Sequence, residues 1–89
     1  MSLFQILYTV EAKDRLAEIE RFDPKSARIL FDTIQKLHQI YRSDPFLKGL
    51  HFKGLRRHRA GHYRIIYRAL ESEKEIRVIT IDFRKSVYK

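Results

Sequence analysis

Apolar residues recur in two rhythms along the chain, and the change of rhythm marks the elements. Leu3-Phe4-Gln5-Ile6-Leu7-Tyr8 is a short apolar run rich in strand formers, which predicts a first strand. Thr9 is placed as an N-cap, and Glu11 and Asp14 sit where a helix dipole favours acids. Ala12, Leu16 and Ile19 follow at helical spacing, predicting a first helix to about Arg21. Asp23-Pro24 restarts the pattern with a capping residue and a proline at the first helical position. From there Ala27, Leu30, Ile34, Leu37 and Tyr41 form one stripe to about Arg42, a core face rather than a cofactor site. Ser43-Asp44-Pro45 ends this second helix, because the residue before proline avoids helical angles.

The second half changes to period two. Residues 47–55 read as a loop entering a strand, and a hairpin follows with Ala60-Gly61 as its two-residue turn. That turn pairs Arg59 with His62, His58 with Tyr63, Arg57 with Arg64 and Arg56 with Ile65. Alternation puts Arg57, Arg59, His62, Arg64 and Arg68 on one face. The other face carries His58, Tyr63, Ile65 and Tyr67, of which the two tyrosines are core residues. Residues 71–75 form a polar turn, and Ile76–Phe83 reads as a strand apolar on both faces, hence central. The expected architecture is a single α+β domain over residues 1–89, in the order β-α-α-β-β-β. It has a small antiparallel-dominated sheet, with two helices packed on one face. The arginines are expected on the open face.

Charge sharpens that picture. The chain carries 19 Lys and Arg against 11 Asp and Glu, a net charge of +8. Residues 1–44 balance, so the whole excess lies in the second half. Between Pro45 and Leu70 there are only basic charges: Lys48, Lys53, Arg56, Arg57, Arg59, Arg64 and Arg68. A single-sign surface of this kind attracts polyanions. Two arginines facing each other across a hairpin repel, so the pairing of Arg57 with Arg64 points to an anion held between them.

Several chemistries find no support. Cysteine is absent, so no disulfide or thiolate metal site holds the fold, which suits an intracellular protein. No apolar run approaches the roughly 20 residues of a membrane span, and the N-terminus lacks a signal-peptide pattern. The histidines at 51, 58 and 62 are irregularly spaced with no acid among them, so neither a metal nor another cofactor is expected. Arginine, lysine, histidine and tyrosine remain, a set able to handle a phosphodiester without metal. Arginine grips phosphate oxygens through its fork, and tyrosine stacks on bases.

Lys48-Gly49-Leu50, Leu55-Arg56-Arg57, Gly61-His62-Tyr63-Arg64-Ile65-Ile66-Tyr67 and Arg84-Lys85-Ser86-Val87-Tyr88 resemble the RelE/ParE toxin superfamily of toxin–antitoxin systems. The likeness extends over essentially the whole chain. It implies a cytoplasmic, metal-independent endoribonuclease that enters the ribosomal A site and cuts mRNA there by attack of a 2′-hydroxyl on the adjacent phosphate. By position, Arg64 matches a phosphate-binding arginine, Arg57 the basic position opposite it, Arg84 a C-terminal arginine and Tyr88 a base-stacking tyrosine. Lys53 and Arg56 lie near a second lysine of the family, with Arg59, Arg68 and Lys85 completing the implied RNA-binding surface. Many relatives carry histidine immediately before the final arginine, where this chain has Phe83. Proton transfer therefore falls to His62, favoured by its face, or to His58, His51 or Lys53. The implied partner is an acidic antitoxin, lying across the basic face in a hetero-oligomer. The alternatives are a ParE-like gyrase inhibitor without catalysis and a plain RNA-binding module.

Overall fold

Two side-chain caps set the helices that cover the sheet. Thr9 Oγ1 accepts from the Ala12 N–H at 3.0 Å and starts α1, Val10–Phe22. Asp23 accepts from the Ser26 N–H at 3.3 Å and from its hydroxyl at 2.6 Å, and Pro24 opens α2, Pro24–Ile40. The Ser26 hydroxyl also holds the Asp23 carboxyl below its usual range. Both caps are at the positions the sequence predicts. A 3₁₀ turn over Tyr41–Ser43 extends α2 before Asp44-Pro45 stops it.

The computed structural model describes residues 3–83, and in it four strands complete the fold: β1 (Gln5–Tyr8), β2 (Arg56–Ala60), β3 (Tyr63–Leu70) and β4 (Glu75–Phe83). The sheet order is β1-β4-β3-β2. Pairing is antiparallel between β2 and β3 and between β3 and β4, and parallel between β1 and β4. The α+β class and the β-α-α-β-β-β order are thus as expected, and β4 is interior. The helical stripe packs on one sheet face: Leu30, Ile34 and Leu37 meet Ile65, Tyr67, Ile76, Val78 and Ile81, all essentially inaccessible. Each such side chain contributes on the order of 2 kcal/mol by leaving water.

Thr9 does more than cap. Register slips between Ile66↔Thr80 and Tyr67↔Val78, so Ile79 of β4 bulges out of the ladder. The Thr9 hydroxyl donates to the Ile79 carbonyl at 2.5 Å, satisfying an acceptor beside the bulge. One residue therefore ties the start of α1 to the irregular point of the central strand.

The hairpin turn differs from the predicted one. Ala60 pairs with Tyr63 and Arg59 with Arg64, so the turn residues are Gly61 and His62. Gly61 has φ of 62°, the conformation a two-residue turn requires at its first central position and glycine adopts without strain. Arg57 consequently lies across from Ile66, not Arg64, and Arg56 lies across from Tyr67.

Asp44 anchors the other end of the hairpin. Its carboxylate accepts from the Tyr67 hydroxyl at 2.5 Å and lies 2.9 Å from His58 Nδ1, while its backbone carbonyl accepts from Arg56 at 2.9 Å. The Arg56 guanidinium stacks 3.9 Å over the Phe46 ring and 5.6 Å from the Tyr41 ring. Burial first, and then the bond to Asp44, raise the Tyr67 pKa far above the usual phenol value.

Candidate functional site

The sheet face turned away from the helices is built from alternate residues of β2, β3 and β4. In register across these three strands lie Arg59, Arg64 and Asp82. Arg64 Nη2 donates to Asp82 Oδ2 at 3.2 Å, so the carboxylate answers the repulsion between the facing arginines. Arg57, two positions along β2 from Arg59, is diagonal to Arg64 and exposed.

This face is not fully open. Leu47 N–H donates to the Leu55 carbonyl at 2.8 Å, and Phe46 bridges to Arg56, so residues 46–55 fold back over the sheet. Ile66 is only 4% exposed although it points away from the helices. Under this segment lies a cleft of about 240 Å³, lined by Leu47, Lys48, Phe52 and Leu55 on one side and by Arg64, Ile66, Ile79, Thr80 and Asp82 on the other.

Two polar atoms of residues lining the cleft lack partners: Arg64 Nε and Thr80 Oγ1 are both buried without a hydrogen bond. Leaving a buried donor unmade costs about 1–3 kcal/mol, a cost carried by the cleft wall. The Arg64 side chain as a whole is 26% exposed, so its guanidinium can meet an anion there. Lys48 adds a cation to the rim. A phosphodiester offers acceptor oxygens and negative charge, and the apolar wall from Phe52 and Leu47 suits the flat face of a base. Thr80→Val removes the orphan hydroxyl at nearly constant shape. It is expected to raise stability by about 1 kcal/mol in thermal unfolding; a loss of that size would mean the hydroxyl already has a partner.

The other sequence-predicted residues fall in several places. Arg59 and Arg57 flank the cleft on β2, and Lys53 is exposed in the segment that roofs it. Arg68 points to Gly54, where its guanidinium fills the space beside the glycine Cα. Arg56 is held on the opposite face by Asp44, Phe46 and Tyr41. His58 faces the helix side with Asp44. His62 is in the turn itself, its ring 6.5 Å from Phe83, and it contributes to lowering the Asp23 carboxyl at the α1–α2 junction. It lies outside the cleft. Phe83 packs 5.2 Å from the Tyr63 ring, on the helix side. Arg84, Lys85 and Tyr88 lie outside the described residues.

Lys48, Thr80 and Asp82 are absent from the sequence-derived set. Alternation along β4 carries the signal for two of them, since Thr80 and Asp82 occupy the face opposite to Ile81 and Phe83. Among the described residues no three His, Cys, Asp or Glu side chains gather as a metal site would need, and no helix is long and apolar enough to cross a membrane.

Comparison with known proteins supplies the family. Among solved structures the chain is similar to a YoeB/ParE toxin from Agrobacterium tumefaciens, at 21% identity and TM-score 0.76, covering 90% of this chain and 98% of that one. It is similar to a chain of the RelBE2 toxin–antitoxin complex from Mycobacterium tuberculosis, at 19% identity and TM-score 0.78, covering 92% and 99%. A chain of the chromosomal ParDE system from P. aeruginosa matches at 16% identity and TM-score 0.71, covering 93% and 98%. At these identities the likeness is one of fold. No curated protein matches by sequence. The family model for the ParE toxin of the type II toxin–antitoxin system parDE, however, matches residues 6–88, from the first strand to the penultimate residue of the sequence. The chain belongs to the ParE toxin family, and with it to the RelE/ParE toxin superfamily of toxin–antitoxin systems.

Proposed function

We propose that this toxin is a ribosome-dependent endoribonuclease that cleaves mRNA in the A site. The observation that carries the reading is Arg64: a guanidinium lining the cleft, fixed by Asp82, with its side chain still 26% exposed to an entering anion. A fixed cation beside the position where charge develops on a phosphate stabilises a transition state more than a ground state. The 2′-hydroxyl attacks the adjacent phosphorus, leaving a 2′,3′-cyclic phosphate and a free 5′-hydroxyl. Arg57, Arg59, Lys53, Arg68 and Lys48 steer the strand along the basic face, with Arg84, Tyr88 and Lys85 as the contribution of the chain end. In this reading the toxin works in the cytoplasm. Its partner is an acidic antitoxin segment that neutralises the +8 surface by covering the same face.

A second reading, a non-catalytic gyrase poison, is favoured by the family description and by phenylalanine at position 83. The two are separated in induced bacterial cells. The nuclease stops incorporation of labelled amino acids within minutes while plasmid supercoiling is unchanged. Relaxed or linear plasmid during continued protein synthesis would favour the poison.

A further inference from the structure

We infer that Asp82 is the proton acceptor for the attacking 2′-hydroxyl. The inference rests on the endonuclease reading, which requires a base beside the phosphate. The histidines at positions 58 and 62 are turned elsewhere: one is bound to Asp44 on the helix side, the other packs against Phe83 at the turn. Phe83 itself faces Tyr63. Because side chains alternate along β4, the residue presented to the cleft at this end of the strand is its neighbour, Asp82.

Its surroundings fit the task. Asp82 is directly across from Arg64 and uses one carboxylate oxygen, Oδ2, to hold that guanidinium. The other oxygen, Oδ1, makes no hydrogen bond among the described residues, and the side chain is 36% exposed, open to substrate. A phosphate on the free edge of the Arg64 guanidinium brings its ribose to the side of the cleft where Asp82 is exposed. Arg64 also offsets the repulsion between carboxylate and phosphate. In the step itself the 2′-O–H proton moves to Asp82 Oδ1, and the 2′-oxygen pair forms the new P–O bond. The P–O5′ bond breaks, its electron pair stays on the 5′-oxygen, and that oxygen takes a proton from water. Asp82 then returns its proton to solvent.

The test compares wild type, Asp82→Asn and Asp82→Glu on ribosomes programmed with one defined mRNA, under single-turnover conditions. Asparagine keeps an oxygen for Arg64 but cannot accept a proton. The expected result is a loss of about 100-fold in the maximal rate for D82N with little change in half-saturation, and partial recovery in D82E. An mRNA carrying sulfur at the bridging 5′ position leaves as a thiolate without needing a proton; D82N stays slow on it. Wild-type rate in D82N, or D82N rescued to wild type by the sulfur substrate, overturns the assignment of Asp82 as base. Absence of cleavage by the wild-type protein overturns the endonuclease reading itself, a different outcome from a cleaving wild type with an equally active D82N.

Discussion

Arg64→Ala is expected to reduce mRNA cleavage by at least about 1,000-fold. Two losses act in the same direction. Removing a preorganised donor from the developing charge costs about 100- to 1,000-fold by itself. The second loss comes from Asp82, whose carboxylate is held by Arg64 at 3.2 Å and would be left uncompensated in the cleft, repelling the phosphate. Arg64→Lys keeps the charge but cannot hold Asp82 and a substrate oxygen at once, so it should fall between wild type and alanine. The pair is partly exposed, so the fold should be little affected. Single-turnover cleavage and thermal unfolding, measured on the same preparations, separate these effects. A rate for R64A within threefold of wild type would remove Arg64 from the site.

Asp44→Ala is expected to produce the largest loss of stability among polar substitutions, about 3 kcal/mol. Its carboxylate, only 10% exposed, accepts from Tyr67 and lies against His58, two residues on adjacent strands. Tyr67 is fully buried, and without Asp44 its hydroxyl has no acceptor. Denaturant unfolding should show a lower midpoint with an unchanged slope. The variant should cleave normally at temperatures where it remains folded, because this network is on the helix side of the sheet. The same network predicts a loss of stability at high pH. Tyr67 has a raised pKa when folded, so its contribution is complete below the ordinary value of 10.0 and declines above it, where only the unfolded chain releases the proton.

How far this was readable from residues differs by element. The helices are local objects, and their signals are local: Thr9, Asp23-Pro24 and the Leu30, Ile34, Leu37 stripe suffice. The hairpin is readable except for one residue of turn placement. A single glycine fits either central position of a two-residue turn, so sequence leaves the choice open. Moving the turn by one shifts each cross-strand partner by two, which preserves alternation; Arg57, Arg59 and Arg64 therefore share a face in either register. His62 does not, because a turn residue is not bound by strand alternation, and its ring goes to Phe83. The roof over the cleft and the parallel pairing of β1 with β4 depend on contacts distant in sequence. So does Asp44, which reads only as a helix-ending residue before a proline. Asp82 is the instructive omission. Attention to Phe83, the family's histidine position, hides the acid beside it, although alternation alone sets Asp82 on the face of Arg64.

Mapping the 5′ ends of a defined mRNA on purified ribosomes tests the central claim most directly. With wild-type toxin, new ends bearing 5′-hydroxyls are expected within the codon occupying the A site, absent when ribosomes are omitted and absent with Arg64→Ala. An mRNA that stays intact on ribosomes exposed to folded wild-type toxin, while gyrase loses supercoiling activity in its presence, would contradict it.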